Sequence, residues 1–186
     1  YDFLMGKDRN AYDRLGALIC EEIRADNEVL ELAAGTGLVS QRVAGSCARY
    51  LATDYAEKML RKARKKKWPS HVSFEQADAT ALPYPEASFD AVIISNALHI
   101  MPHPERALQN IKRVLRKDGR LIAPTFVRYG DEKEGFLNKP MRWAGFRSWF
   151  NWSPVEFNAY LEKNGWHVIR SEVIPARFDI AFVVAE

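Results

Sequence analysis

Short apolar runs alternate with helix-patterned segments along most of this chain, and that alternation limits its fold more than any other feature. Residues 29–32, 50–53, 72–75, 91–95 and 121–125 are short runs with strand character, while 56–67 and 104–115 carry apolar residues at helical spacing. Strands joined by helices require right-handed crossovers, which predicts a mostly parallel sheet covered on both faces. Residues 8–24 precede this pattern as an amphipathic helix, with Tyr12, Leu15, Leu18, Ile19 and Ile23 on one face. Near the end the pattern changes. Residues 167–173 and 178–185 are extended runs separated by a gap too short for a crossover helix, so they are expected to pair as an antiparallel hairpin.

Ser153-Pro154-Val155-Glu156 reads as a helix start, with Ser as N-cap, Pro at the first helical position and Glu at the third. That helix is expected to stop at Asn164-Gly165. Residues 128–152 fit neither pattern; they hold three glycines, Pro140 and a dense set of aromatics that includes Phe136, Trp143, Phe150 and Trp152. We read this segment as an aromatic insertion or lid within a single domain spanning 1–186, with 1–24 as its N-terminal helix.

Composition excludes several classes. The chain has 186 residues, 47% hydrophobic and 27% charged, as expected of a globular domain with one core. A net charge of +3 does not demand a nucleic-acid partner. Cys20 and Cys47 form no metal or disulfide pattern. No run approaches the roughly 20 apolar residues of a membrane helix, so membrane insertion is not expected and a cytoplasmic location is the default. The chain opens on Tyr1 without Met, which predicts that residues precede it. Its oligomeric state is not legible.

The stretch "VLELAAGTGLVS" runs from the first strand into a small-residue loop. In a doubly wound sheet ligands bind beyond the carboxyl ends of the strands, beside the first one. Gly35 and Gly37 let a helix N-terminus approach a polar ligand there. A nicotinamide or flavin fingerprint would place a third Gly where this chain has Ser40. Asp54 ends "YLATD" 17 residues past Gly37, where an acidic side chain holds a ribose diol; a helix N-cap is the plainer reading, and the two are compatible. In "FEQADATALPYPEASFDAVIISNALHIM", Asp78 and Ala79 follow the third strand and Ser95-Asn96 end the fourth.

With these residues in place the chain resembles the class I S-adenosylmethionine-dependent methyltransferases, most closely the small-molecule branch that includes the ubiquinone/menaquinone biosynthesis type. The matching motifs are "VLELAAGTG", "TDYAEKML", "QADATALPYPEASFDAV", "RVLRKDGRL" and "WSPVEFNAYLEKNGWHV". The resemblance implies a Rossmann-like, doubly wound α/β fold: a seven-stranded sheet, mostly parallel, with a final antiparallel hairpin. It implies S-adenosyl-L-methionine as cofactor and a small, partly apolar molecule as methyl acceptor. Residue by residue, it places Glu31, Ala33, Gly35 and Gly37 at the methionine end of the cofactor. Asp54 would hold the ribose hydroxyls, with Tyr55 and Met59 beside sugar and adenine. Asp78 would accept from the adenine amino group, the Ala79 N–H would meet the ring, and Ser95 and Asn96 would border the sulfonium and the acceptor. Ala33 departs from the three-glycine form of the first motif.

Methyl transfer from a sulfonium needs mainly alignment in a dry pocket, and a general base only where the acceptor carries a proton that must leave. His99 is the candidate catalytic base, although a lone His after an apolar run more often serves packing. His99 and His103 lie four apart with Pro102 between them and no acidic third ligand, so no metal is expected. The basic run "RKARKKK", residues 61–67, reads as a solvated helix face. Nucleic acid is disfavoured further because Ser95-Asn96-Ala97-Leu98 stands where enzymes that methylate base amines carry a Pro-Pro-aromatic motif. The alternatives are an RNA methyltransferase, a non-catalytic cofactor-binding protein on the same fold, and a nicotinamide-dependent oxidoreductase. The aromatic segment and the N-terminal helix, with Phe3 and Tyr12, are candidates to cover the acceptor.

Overall fold

The structure is a computed structural model that describes residues 8–128 and 150–186. Its centre is an eight-stranded sheet: β1 (Glu28–Leu32), β2 (Arg49–Asp54), β3 (Val72–Gln76), β4 (Phe89–Ile94), β5 (Leu115–Ile122), β6 (Thr125–Phe126), β7 (Val168–Ile174) and β8 (Ile180–Ala185). β3, β2, β1, β4 and β5 run parallel in that order, and β8 returns antiparallel to β5 with β7 antiparallel on its other edge. The α/β sheet, mostly parallel and finished by a hairpin, is the expected one.

It has eight strands rather than seven because Pro124 interrupts the fifth. Proline has no N–H to give the ladder, so β5 ends at Ile122, and pairing with β8 resumes at Thr125 opposite Ala181. The interruption frees the Pro124 carbonyl, which accepts the Asn96 N–H at 2.8 Å.

Successive strand residues feed opposite faces, as the pleat requires. Leu30, Leu32, Val92, Ile94, Leu121 and Val183 pack with Leu108, Ile111, Phe157 and Leu161. These last four come from α4 (Pro104–Val114) and α5 (Pro154–Lys163). Val29, Ala91, Ile93, Ile122 and Phe182 face the other way, onto Tyr12, Leu15, Leu18, Ile19 and Val43. Here the covering helices are α1 (Arg9–Glu22) and the short α2 (Ser40–Val43). α1 seats closely because Gly16 lacks a side chain: a Cβ there would stand 2.7 Å from Arg42 Cβ. Arg42 in turn pairs with Asp13 at 2.8 Å and donates to the Leu38 carbonyl.

α5 begins with the expected capping box, in which Ser153 Oγ accepts from the Glu156 N–H while Glu156 Oε2 accepts from the Ser153 N–H. α3 (Glu57–Ala63) stops short of the expected residue 67. The Trp68 indole N–H donates to the Ala63 carbonyl at 2.8 Å, capping the helix ahead of Pro69.

Candidate functional site

The carboxyl ends of β1, β2 and β4 converge on a cavity of about 590 Å³, within the range of small-ligand pockets. The loop after β1 reaches it in an uncommon conformation. Ala33, Gly35 and Gly37 all have left-handed backbone, with φ of 55°, 60° and 78°. Ala33 is the costly member, since a Cβ disfavours that region by about 1–2 kcal/mol. No atom of the described residues lies within 4 Å of where a Gly35 Cβ would stand, so a side chain there would project into the cavity.

Asp54 locks the loop from the tip of β2. Its Oδ2 accepts the Gly35 N–H at 2.7 Å and its Oδ1 accepts the Ala56 N–H at 2.8 Å. Carboxylate oxygens accept more than one hydrogen bond each, so capacity for a diol is left. The N-cap position of α3 is Ala56 and not Asp54, but Asp54 accepts the Ala56 N–H and so ties the helix start to the loop. A second pair of bonds fastens the same two strands, Ala34 N–H to the Thr53 carbonyl at 2.8 Å and Thr53 Oγ1 to the Glu31 carbonyl at 3.0 Å.

Glu31 is 1% exposed yet lines the cavity. Its Oε2 accepts from Ser40 Oγ and from the Tyr50 hydroxyl, and no basic side chain pairs with it among the described residues. Burial lifts its carboxyl to about 7, with the negative field of Asp54 adding to the rise and the two hydrogen bonds opposing it. Ser40, the residue that breaks the three-glycine fingerprint, therefore has a partner of its own.

Along the next wall stand Tyr55, 73% exposed, with Met59, Asp78 and Ala79. Asp78 Oδ1 accepts from both the N–H and the hydroxyl of Thr80, at 2.8 and 2.7 Å. At the end of β4, Ser95 and Asn96 close the floor. Asn96 is buried with φ 51°, and its Nδ2 donates to the Tyr12 hydroxyl at 3.4 Å. Its Oδ1 has no hydrogen-bond partner among the described residues. Leaving a buried amide oxygen unsatisfied costs about 1–3 kcal/mol, so this acceptor suits a ligand donor.

His99 sits in the 3-10 turn Leu98–Ile100, its Nδ1 3.2 Å from Thr125 Oγ1 and its ring edge-on to Phe126. Burial pushes it down to about 4, so it is neutral at physiological pH. His103 is largely exposed and faces Glu105 at 3.3 Å. No group of three metal-ligating side chains occurs among the described residues.

Of the residues singled out from sequence, Glu31, Ala33, Gly35, Asp54, Tyr55, Met59, Asp78, Ala79, Ser95, Asn96 and His99 all line this cavity. Gly37 does not. It lies behind the loop, where a Cβ would meet the Trp68 ring at 2.8 Å, so it serves the turn rather than the wall. Tyr12, named as part of a covering helix, lines the cavity; Phe3 and residues 129–149 of the aromatic segment lie outside the described residues. Phe150 and Trp152, at the end of that segment, are not among the residues that line the cavity. Trp152 stacks on Phe150 at 4.8 Å and meets Phe157 and Tyr160 of α5, while the Phe150 N–H reaches the His99 carbonyl at 3.1 Å. Sequence reasoning missed the contribution of Phe126 to the wall and the bond from Thr125 to His99. The only signal for either was position just past the end of the fifth strand.

This geometry fits the group that the sequence resemblance implies. The Asp54 carboxylate, with acceptor capacity to spare, stands at one end, the buried Glu31 carboxyl with no basic partner among the described residues lies between, and a largely apolar chamber with a neutral imidazole lies at the other end. The basic residues of the 61–67 run lie elsewhere, mostly exposed, with Arg64 on Glu57 at 2.7 Å and Lys66 on Gln41 at 3.2 Å. No helix among the described residues is long and apolar enough to cross a membrane.

Comparison with known proteins agrees. The demethylmenaquinone methyltransferase of Clavibacter sepedonicus is 41% identical over 103 residues, which is 55% of this chain and 42% of that protein. A ubiquinone/menaquinone biosynthesis C-methyltransferase of Yersinia pestis is 38% identical over 114 residues, 58% of this chain and 45% of that one. The chain thus spans less than half the length of the curated relatives it matches. Among solved structures, the fold is shared with a putative methyltransferase of Haloferax volcanii in complex with the Trm112 activator. There the TM-score is 0.78 at 18% identity, over 99% of this chain and 91% of that one. It is shared too with the 1,6-didemethyltoxoflavin-N1-methyltransferase of Burkholderia thailandensis, TM-score 0.74 at 21% identity, over 94% of this chain and 77% of that one. The family model described as a methyltransferase domain matches residues 30–123, half of the chain and the part that carries the loop, Asp54, Asp78 and Asn96, and the chain belongs to that family.

Proposed function

We propose that this chain transfers a methyl group from S-adenosylmethionine to a small, partly apolar molecule. The observation that carries the reading is one continuous cavity. It joins the Asp54 carboxylate at the tip of β2 to the chamber formed by Tyr12, Asn96, His99 and Phe126. Membership of the methyltransferase domain family supports it, as do relatives named for quinone methylation.

The donor, when bound, supplies a methyl group on a sulfonium whose departure as a thioether drives the transfer. The chain's own residues then have three tasks. Asp54 accepts from the ribose hydroxyls, while Gly35 leaves room for the ligand beside the backbone. Asp78 and the Ala79 N–H read the base, with Tyr55 and Met59 alongside. Ser95 and Asn96 separate donor from acceptor, and the buried chamber beyond them excludes water and sets the line of attack. His99 takes a proton only from an acceptor that must lose one. Held near 4, it is a weak base whose usefulness rests on position rather than proton affinity.

The test is transfer of labelled methyl from S-adenosylmethionine to a panel of small molecules, quinols included, with bulk RNA as a separate arm. Label in a small acceptor supports the reading. Label in RNA alone would replace it with the RNA alternative.

A further inference from the structure

We propose that Glu31 is a proton-linked counter-charge, which releases its proton to solvent when the cationic end of the methyl donor enters the cavity. This rests on the donor being S-adenosylmethionine, as proposed above, and adds that donor binding and ionisation of this carboxyl are a single event.

The argument begins with an imbalance. Glu31 lines the cavity wall and is 1% exposed, yet no cation answers it among the described residues. Its two hydrogen bonds, from Ser40 of α2 and Tyr50 of β2, converge on one oxygen, Oε2. No bond reaches Oε1 among the described residues. Apart from those two bonds, which favour the charged form, no neighbouring element among the described residues offsets the cost of burying it. From β2, Asp54 adds a second negative charge, and burial keeps Tyr50 a neutral donor, raising it well above its usual range beside Cys47. On α2, the Arg42 guanidinium is turned to Asp13 and the Leu38 carbonyl, and α1 contributes the uncharged Tyr12. On β4, the one acid, Asp90, lies at the far end bonded to the Glu28 N–H. At the rim, His103 is paired with Glu105, and Arg106 is exposed. A carboxyl placed like this keeps its proton until a positive charge arrives; burial lifts it to about 7.

Two consequences follow from linkage. Below about pH 7 a cationic ligand must displace the proton, so its affinity falls by about tenfold per pH unit. A neutral ligand of the same nucleoside pays no such penalty and its affinity stays flat.

The experiment is calorimetric titration of S-adenosylmethionine and of the uncharged methylthioadenosine from about pH 5.5 to 7, each in two buffers of different ionisation enthalpy. The native protein is expected to release up to one proton with the first ligand and none with the second. Glu31→Gln, in which the amide oxygen still accepts from Ser40 and Tyr50, is expected to lose both the proton release and the pH slope. His103→Asn is expected to keep them; their loss in that variant would assign the proton to His103 and overturn this inference even if the Gln variant does not fold. S-adenosylmethionine binding without proton release overturns this inference and leaves the proposed function standing. So does a slope equal for both ligands or retained in Glu31→Gln. No binding at all by the folded native protein overturns both.

Discussion

At the scale of single residues the site holds two buried titratable groups whose effects on stability oppose each other. Glu31 is raised from 4.5 to about 7, so its folded form prefers to be neutral. Its contribution to stability is full below pH 4.5 and is lost as pH rises towards 7. His99 is lowered from 6.5 to about 4, also by burial. Its contribution is full above pH 6.5 and is lost as pH falls towards 4. Each shift amounts to about 3 kcal/mol at about 1.4 kcal/mol per unit, and the two windows nearly coincide. The native protein should therefore show little dependence of stability on pH between about 4.5 and 6.5 from this pair. Denaturant melts of Glu31→Gln should show stability falling as pH drops, and those of His99→Gln should show it falling as pH rises. Slopes of the opposite sign would mean that the two groups are not buried as described.

At the scale of elements, the contact most open to test is the seat of α1. Gly16→Ala improves intrinsic helix propensity by about 1 kcal/mol, but the new Cβ would stand 2.7 Å from Arg42 Cβ, closer than real contacts allow. Overpacking costs about 1–3 kcal/mol, so the net change is expected to destabilise. Because α1 carries Tyr12 into the cavity, ligand affinity should fall with it. Thermal melts together with calorimetry check both, and a more stable variant with unchanged affinity would show α1 to be loosely seated.

The same contact illustrates what was legible in the sequence. Short apolar strand runs, the Ser153 capping box and the short gap before β8 are local patterns, and the structure has them close to where local pattern places them, except that the fifth strand begins at Leu115 and not at 121. Gly16 carries no such mark, because its partner Arg42 is remote in sequence. The end of α3 was misplaced for a related reason, since what stops the helix is a side chain, Trp68, bonding back to Ala63. The run 121–125 was read as one strand across Pro124, and the way pairing with β8 resumes beyond that residue depends on a strand near the other end of the chain. In the site, Asp54 was legible as an acceptor; its second task, pinning the Gly35 and Ala56 N–H groups, is a tertiary fact.

At the scale of the whole molecule, one sheet explains why these residues meet. Parallel pairing of β2, β1 and β4 brings their carboxyl ends to one edge, so Asp54, Glu31 and Asn96 arrive together although far apart in sequence. The antiparallel pairing of β8 with β6 then sets Thr125 and Phe126 beside His99 at the far end of the cavity. The central claim is that this edge binds S-adenosylmethionine through Asp54, and titration calorimetry tests it most directly. The native chain should bind S-adenosylmethionine and not NAD. Asp54→Ala, shown by circular dichroism to be folded, should bind about 10- to 100-fold more weakly, because hydrogen bonds to a charged group contribute about 1.5–3 kcal/mol. Equal affinity for NAD, or native affinity in a folded Asp54→Ala variant, would contradict the account.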